Sequence, residues 1–287
     1  MAGECIVTDS SSDIPVEILK KYPITIVPMY VGFDGNLKKD LIEIQPEEIY
    51  KALDLGKIVH TSSPSAGDYI LVFNRLLEKE NFKKIYCITL SSELSGAYNA
   101  ASIAKKSFSE GLIEVIDSKT STMCLGLIAI QAGEAIKQGL SRKEITGLMQ
   151  NLIEKNKFIA VLESFEYVFR GGRAAFLGKF IGKAIKFVPI LNIGKDGRVK
   201  LKKFCSNKGK ALKEIYRLTI ETAKLNPISI VSIFYGLDSG PAKELERLIR
   251  GNNEISVSDI IITKITTVIS AHTGPGLWGV AVSPKLI

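Results

Sequence analysis

The sequence predicts an α/β protein in which an N-terminal, mostly parallel sheet with flanking helices precedes a C-terminal mixed α+β domain. In the first half, short β-branched runs alternate with amphipathic helical patterns, and this alternation is typical of βαβ units. Near residue 157 the pattern changes, because a glycine-rich basic stretch and a hairpin follow. The chain has 287 residues and 46% of them are hydrophobic, so each half can bury a core. We therefore expect domains at residues 1–157 and 158–287.

The first half is predicted to contain a series of strands, each followed by one or more helices. Strands are expected at 4–8, 24–31, 84–89 and 112–116, and helices at 15–21, 46–53, 65–79, 95–108, 120–138 and 141–154. Ser141 and Glu144 have the spacing of a capping box, which fixes the start of the last of these helices. The sequence Phe33-Asp-Gly-Asn predicts a turn in a small β-ribbon.

The second half is predicted to combine a hairpin with alternating helices and strands. Strands are expected at 158–161, 190–193, 198–204, 228–235, 259–264 and near 278–282, and helices at 208–223 and 241–250. The hairpin turns at Gly194-Lys-Asp-Gly, and the last strand follows a glycine turn. This order favours a mixed sheet.

Composition narrows the class of protein. No apolar run approaches the ~18 residues of a membrane span, and the N-terminus has no basic region before an apolar stretch. We therefore expect no transmembrane segment, no signal peptide and a cytoplasmic location. The four cysteines are far apart in the sequence, which predicts buried thiols in a reducing compartment, and with only two histidines we expect no metal site.

Positive charge is concentrated in one region of the chain. The formal net charge is +8, and residues 170–224 contain 15 Lys and Arg against Asp196, Glu214 and Glu221. Such a region is either a solvated basic face or a surface for an acidic partner or a nucleic acid.

Four hydroxyl-rich loops each follow an extended segment and precede a helix. They are residues 8–13, 61–65, 91–96 and 117–122. Each loop alone is typical of helix capping. In a parallel sheet, however, such loops lie at the carboxyl edge, so we expect them to converge on one crevice. Hydroxyls and helix N-termini there would bind a carboxylate or phosphate without a paired lysine.

Two further segments stand out. The turn His272-Thr-Gly-Pro-Gly276 lets the backbone pass close to another group, and His272 could donate a hydrogen bond to an anion or have a purely structural role. Arg170-Gly-Gly-Arg173 precedes a pattern with apolar residues at helical spacing. That pattern predicts a core-facing helix, a partner-docking surface or a movable cover over an apolar cavity.

Sequence motifs of several enzyme classes are absent. The stretch from Gly172 lacks the spacing and the Ser or Thr of a P-loop, and no GxGxxG follows a strand. Glu93 stands where a nucleophile elbow around Ser95 would need glycine. A triad of Ser95, His272 and an aspartate remains open, because almost any α/β chain can supply one.

The series of motifs resembles the DegV family over essentially the whole chain. The matching segments are TDSSSD at 8–13, TSSPS at 61–65, SSELSGAY at 91–98, DS at 117–118, GGR at 171–173, PIL at 189–191 and HTGPG at 272–276. The resemblance implies a two-domain α/β protein that binds one long-chain fatty acid, such as palmitate, stearate or oleate, between its domains. It also implies a FakB-like subunit that presents the fatty acid to a separate kinase, with no catalysis or cofactor of its own.

The resemblance also assigns residues. Thr61 and Ser95 match the carboxylate-binding hydroxyls, and His272 matches a residue near the head group that acts through water. From the same motifs we add Ser62, Gly96 and Thr273 to the predicted ligand site. The predicted partner-docking residues are Arg173, which matches the family, together with Arg170 and Lys208. We expect Phe169, Phe176, Phe180 and Phe187 to be candidates for the cavity wall.

One position departs from the family. Ser206 stands where the family often has an arginine after the hairpin, so either Lys208 or Lys210 replaces it in docking a kinase or the protein serves no kinase. Two other functions stay open. The chain could be a serine-dependent acyl ester hydrolase using Ser95 and His272, or a nucleic-acid-binding protein acting through residues 170–224, for which no further motif is present.

Overall fold

The computed structural model describes residues 3–163, 165–170 and 187–287. In chain order, the strands are β1 (Glu4–Asp9), β2 (Ile24–Val27), β3 (Tyr30–Phe33), β4 (Asn36–Lys39), β5 (His60–Ser62), β6 (Lys84–Thr89), β7 (Ile113–Asp117), β8 (Lys157–Val161), β9 (Val188–Ile193), β10 (Val199–Cys205), β11 (Ser229–Tyr235), β12 (Val257–Lys264) and β13 (Trp278–Pro284). The α-helices are α1 (Val16–Leu19), α2 (Pro46–Asp54), α3 (Ala66–Asn74), α4 (Ala97–Lys105), α5 (Thr122–Lys137), α6 (Arg142–Lys155), α7 (Glu166–Arg170), α8 (Lys208–Ala223), α9 (Gly240–Arg250) and α10 (Thr267–Thr273).

The first sheet is parallel and has the order β2-β1-β6-β7. Its strands alternate between two apolar faces, as the period of two for a strand requires. Cys5 and Val7 pack with Tyr69 and Phe73 of α3, whereas Ile6 points to the opposite face and packs with residues of α5. Helices therefore cover both faces, as predicted.

The second sheet is mixed and has the order β10-β9-β8-β13-β11-β12, in which only β11 and β12 pair in parallel. α8 and α9 cover one face. α5 covers the other face and also packs against β1, so it lies between the two sheets. Nearly all of its 16 residues are buried, which explains why it is apolar all round. The predicted α/β fold class is confirmed.

A third, antiparallel sheet has the order β4-β3-β5 and packs against α10, and Val31 of β3 shares an apolar cluster with α2. The predicted turn joins β3 to β4, with positive φ at Asp34 (54°) and Gly35 (78°), the pattern of a type I′ hairpin. The single strand predicted at 24–31 is wrong. It is divided between β2 and β3, which belong to different sheets, with Pro28 and Met29 between them. Pro28 has no N–H to donate to a ladder.

Two other local predictions, the capping box of α6 and the buried cysteine thiols, agree with the structure. The capping box of α6 is present, since Ser141 and Glu144 each bond the other's backbone. All four cysteines are buried free thiols, as expected. None of the helices in the described ranges combines the length and apolar character that a membrane span needs. α10 was missed, and it proves central to the site.

Candidate functional site

A cavity of about 130 Å³ lies where the carboxyl edge of the first sheet meets the second sheet. Its polar wall includes Thr61, Ser62, Ser95, Thr122, His272 and Thr273. Its apolar wall includes Phe158, Leu162, Val168, Leu191, Val199 and Leu277. Of the described residues that line it, none is Lys, Arg, Asp or Glu. The cavity therefore combines a group of neutral hydrogen-bonding side chains with a much larger apolar surface.

The central polar contact joins Thr61 and His272. Thr61 lies on β5, opposite Val31 of β3, and His272 lies in the last turn of α10. Thr61 Oγ1 and His272 Nε2 are 2.8 Å apart. With the proton on Nε2, the imidazole donates to Thr61 Oγ1, and the Thr61 hydroxyl keeps its own proton for a bound acceptor. The pair is therefore suited to hold an anion.

Ser95 supplies a second hydroxyl in a similar state. It lies just before α4, and its Oγ accepts the Ala97 N–H at 3.2 Å, which leaves the hydroxyl proton available to a ligand. A side chain on Gly96 would place its Cβ 3.0 Å from Ser63 Oγ. Glycine at this position therefore lets the loops at 61–65 and 91–96 approach each other.

Ser62 and Thr273 are placed at the cavity but differ from Thr61 and Ser95. The Ser62 hydroxyl donates to the Ser63 carbonyl at 3.1 Å, and the Thr273 hydroxyl donates to the Ile269 carbonyl at 2.9 Å. Each proton is thus used within its own segment. In this arrangement neither residue can donate to an anion, although both shape the wall.

The loop at 117–122 contributes Ser121 and Thr122 to the cavity wall. Thr122 has a φ of 53°, which is strained for a β-branched residue, and within the described ranges its buried hydroxyl has no hydrogen-bond partner. Asp117 ties this loop to its neighbour by accepting the Ser92 N–H at 3.2 Å and the Ser92 hydroxyl at 2.6 Å.

The loop at 8–13 does not line this cavity, contrary to expectation. Ser10, Ser12 and Asp13 of this loop instead line a separate cavity of about 340 Å³. Asp9 accepts the Leu90 N–H at 2.8 Å, and Asp13 accepts the Thr266 N–H at 2.8 Å. Burial raises the pKa of Asp9 and raises that of Asp13 well above its usual range. This loop therefore joins structural elements and does not add hydroxyls to the anion site.

Asp40 is a third buried carboxylate in this region, and sequence reasoning missed it. It is 1% exposed, and it accepts the Ser10 hydroxyl at 2.6 Å and the Thr267 N–H at 3.0 Å. Burial also raises its pKa. No local pattern distinguishes Asp40 from an ordinary loop aspartate, because its partners lie on distant segments.

The glycine turn packs tightly against the segment around α7. Gly274 has a φ of 71°, and a Cβ there would overlap the ring of Tyr167. A Cβ on Gly276 would overlap the Glu163 side chain, and Glu163 pairs with Lys208. Lys208, a predicted docking residue, therefore lies two contacts from the turn that follows His272.

Several predicted residues lie outside the described part of the chain. They are Arg173, Phe176, Phe180 and the rest of the amphipathic stretch up to residue 186, and the side chain of Arg170 is likewise outside it. The described phenylalanine candidates are not in the cavity wall: Phe169 is 38% exposed, and Phe187 is 42% exposed and packs near Phe204. Val168 of α7 lines the cavity instead.

Comparisons with known proteins were consistent over the full length. A family model described as "Uncharacterised protein, DegV family" matches residues 5–285. A DegV domain-containing protein of Caldanaerobacter subterraneus is 32% identical over 282 residues, which cover 98% of each chain.

Solved structures show the same fold. A fatty-acid-binding DegV family protein from Thermus thermophilus is 25% identical, with a TM-score of 0.93 over 98% of this chain and 99% of its own. A stearic acid-binding protein from Eubacterium ventriosum is 27% identical, with a TM-score of 0.87 over 98% of both chains.

Proposed function

The chain belongs to the DegV family, and on this basis we propose that it binds one long-chain fatty acid, such as palmitate, stearate or oleate, without catalysing a reaction itself. The observation that supports this most is the composition of the cavity wall. A small group of neutral hydroxyls around the Thr61–His272 pair adjoins a long apolar surface from β8, β9 and α7. This arrangement matches a fatty acid, which has a polar carboxylate at one end of an apolar hydrocarbon chain.

The proposed carboxylate contacts are Thr61 and Ser95, with His272 acting through Thr61. Ser95 Oγ accepts the Ala97 N–H, and Thr61 Oγ1 accepts from His272 when the imidazole carries its proton on Nε2, so each hydroxyl then has its own proton available for a carboxylate oxygen. Neutral donors suit a carboxylate that must later react, because a buried ion pair would stabilise the unreacted anion more strongly. Ser62, Gly96 and Thr273 shape this end of the cavity.

The acyl tail supplies most of the proposed affinity. Burying about fourteen methylenes at roughly 0.8 kcal/mol each gives an upper estimate of about 11 kcal/mol before ordering costs. Dissociation constants in the micromolar range or below are therefore expected.

We propose that the tail lies between an N-terminal domain and a C-terminal domain that are divided near residue 157. We also propose that the protein is located in the cytoplasm.

The same proposal includes presentation of the fatty acid to a kinase subunit. The carboxylate oxygen would attack the γ-phosphorus of ATP held by that subunit, releasing ADP and leaving an acyl phosphate. Arg173, Arg170 and Lys208 are the proposed docking residues, on the basic region 170–224. Ser206 at the usual arginine position predicts weaker docking, which Ser206→Arg should strengthen.

Mass spectrometry of the organic extract tests fatty acid binding directly. The protein is purified without added lipid, extracted, and separately incubated with palmitate, stearate and oleate. One fatty acid per chain supports the proposal. An empty extract from a folded protein that also takes up none of the three contradicts it.

A pair of variants on β10 makes this test specific to the cavity. Val199 lines the cavity, whereas the neighbouring Lys200 is exposed, since successive side chains of a strand point to opposite faces. Val199→Trp should therefore exclude the tail, and Lys200→Trp should leave loading unchanged. Equal loading of both variants would place the ligand elsewhere.

Kinase presentation has its own assay. The loaded protein is mixed with a fatty acid kinase subunit and ATP, and acyl phosphate is trapped with hydroxylamine. Lys208→Ala should lower the yield, and Lys243→Ala, which changes an exposed lysine on α9, should not. No hydroxamate above the background without kinase would remove this part of the proposal and leave fatty acid binding intact.

A further inference from the structure

Asp40 and Thr61 lie at opposite sides of one small sheet. Asp40 directly follows β4, and Thr61 is on β5, with β3 between the two strands. Tyr30 of β3 pairs with Lys39 on one side and with Ser62 on the other. Asp40 lies one residue to one side of this row and Thr61 one residue to the other side, so they are separated by two strand spacings and by two residues along the strands, roughly 12 Å in all.

α10 spans that distance and is bonded to the sheet at both of its ends. At its first residue, Thr267 donates its N–H to Asp40 Oδ1 at 3.0 Å and its hydroxyl to the same oxygen. In its last turn, His272 contacts Thr61. Thr267 and His272 are five residues apart, a rise of about 7.5 Å along the helix, and the side chains at the two contacts cover the remaining distance. The two contacts therefore fix α10 along its axis.

Asp40 is itself held rigidly. Its Oδ2 accepts the Ser10 hydroxyl at 2.6 Å, and its N–H donates to the Met29 carbonyl at 2.8 Å. Between the two ends of α10, the Tyr50 hydroxyl lies 2.8 Å from Ser270 Oγ. The helix is thus located by contacts with β4, α2 and β5 in turn.

It is energetically unfavourable to bury a charged carboxylate beside the first residue of a helix. Asp40 and Thr267 are 1% and 0% exposed, and in the part of the chain that the structure describes no Lys or Arg forms an ion pair with Asp40. A buried charge without a cation is destabilising unless several donors compensate for it. Such a group is more readily explained by the geometry it imposes than by stability alone.

We propose that Asp40 is a positioning residue for the proposed anion site. It fixes α10 along its axis so that the His272 side chain contacts Thr61. It acts through Thr267 and the helix and does not touch the ligand. The consequence for fatty acid binding rests on the proposed function, whereas the consequence for the Thr61–His272 contact does not. The two can be measured separately.

The experiment compares Asp40→Ala and Thr267→Val with the parent protein. Alanine removes the oxygen that accepts both Thr267 donors, which asparagine would keep, and valine removes only the hydroxyl donor of Thr267. Ile249→Ala on α9 is the control, because this fully buried residue belongs to a core on the far face of the second sheet and its loss lowers stability without touching α10. Thr61→Val gives the reference spectrum for a broken contact.

The first measurement is the ¹⁵N resonance of His272 Nε2 in the ligand-free protein. We expect Asp40→Ala and Thr267→Val to move it toward its position in Thr61→Val, and the double variant to move it no further than either single one. Ile249→Ala should leave it in place. An unchanged resonance in folded Asp40→Ala and Thr267→Val overturns the proposal, whatever the protein binds.

The second measurement uses palmitate labelled with ¹³C at the carboxyl carbon or at the methyl end. Both variants should shift the carboxyl resonance and weaken palmitate retention about tenfold, with the methyl resonance unchanged. A carboxyl resonance that does not move, in variants that do alter His272, overturns the link to the ligand. If the parent takes up no palmitate while the Nε2 resonance responds as expected, the proposed function fails and the positioning role of Asp40 stands.

Discussion

Thr61 and His272 are separated by 211 positions in the sequence, yet their side chains meet at 2.8 Å. One residue lies on a small antiparallel sheet and the other on a short helix that packs against it. Because Thr61 Oγ1 can accept from Nε2 while its own proton stays available, the contact orients the Thr61 hydroxyl so that its proton can be donated to a bound acceptor. The proposed anion site is therefore a property of the assembled fold and not of either motif alone.

Thr61→Val should weaken fatty acid binding without unfolding the protein. Valine keeps the shape of threonine but removes a donor to a carboxylate, and a hydrogen bond to a charged group is worth about 1.5–3 kcal/mol. We expect a loss of about 10- to 100-fold in affinity, measured by displacement of a fluorescent fatty acid. Thr61→Ser, which keeps the hydroxyl, is the matched control. Equal affinity of the valine variant would remove Thr61 from the site.

His272 should act through Thr61, and a double-mutant cycle can show it. His272→Gln places an amide N–H near the position of Nε2, so affinity should stay within a few fold of the parent. His272→Ala should lose no more than Thr61→Val, because it leaves the Thr61 hydroxyl in place. The combined variant should be no weaker than Thr61→Val alone, because His272 acts through that hydroxyl. Additive losses would mean that His272 bonds the ligand independently.

Much of the fold could be predicted because its signals are local. The alternation of strand and helix patterns, the capping box at Ser141 and the Asp34-Gly35 turn depend on neighbouring residues, and all are present. α10 escaped prediction because its first residues, Thr267, Val268 and Ile269, are β-branched and favour strands. Bonds from Asp13 and Asp40 to the amides of Thr266 and Thr267 stabilise the helix from outside.

The residues of the candidate site likewise divide into those that a local motif reveals and those that only the folded chain brings together. Thr61, Ser95 and His272 belong to recognisable motifs, and all three line the cavity. Asp40 has no motif, and its importance depends on which segments the fold brings beside it. The loop at 8–13 was predicted to line the ligand crevice, and this prediction is wrong. A run of Ser and Asp has the same pattern at a ligand site and at a buried junction between segments.

Gly274→Ala should destabilise the protein more than Gly139→Ala. Gly274 and Gly139 have φ of 71° and 80°, so alanine is strained at both, and Gly274 also has a ψ of −174°, which essentially only glycine adopts. A Cβ would overlap Tyr167 at Gly274 but meets nothing within 4 Å at Gly139. Urea unfolding should therefore show a loss of about 1 kcal/mol for Gly139→Ala and at least 1 kcal/mol more for Gly274→Ala. Equal losses would mean that α7 moves aside freely.

Asp13 should make the protein less stable as the pH rises. Burial raises its pKa well above the usual range, so the folded state keeps a proton that the unfolded state releases above pH ~4. Stability is then greatest below the unfolded pKa and falls by up to about 1.4 kcal/mol per pH unit until the folded pKa is reached. Glu214 has the opposite sign, since the hydrogen bond from Arg217 is the main cause that lowers its pKa to about 2. Its contribution is lost only below its ordinary pKa, so the two effects separate above pH 5.

Asp13→Asn should therefore flatten the dependence of unfolding free energy on pH between 5 and 8. Asparagine tolerates the φ of 53° at this position and can still accept the Thr266 N–H, but it has no carboxyl to ionise. The measurement is urea unfolding at several pH values, with Asp54→Asn on the exposed side of α2 as the control. The control should keep the slope of the parent. A variant with the slope of the parent would show that Asp13 does not keep its proton in the folded protein over this range, because the other buried carboxyls with raised pKa, Asp9 and Asp40, contribute equally to both proteins.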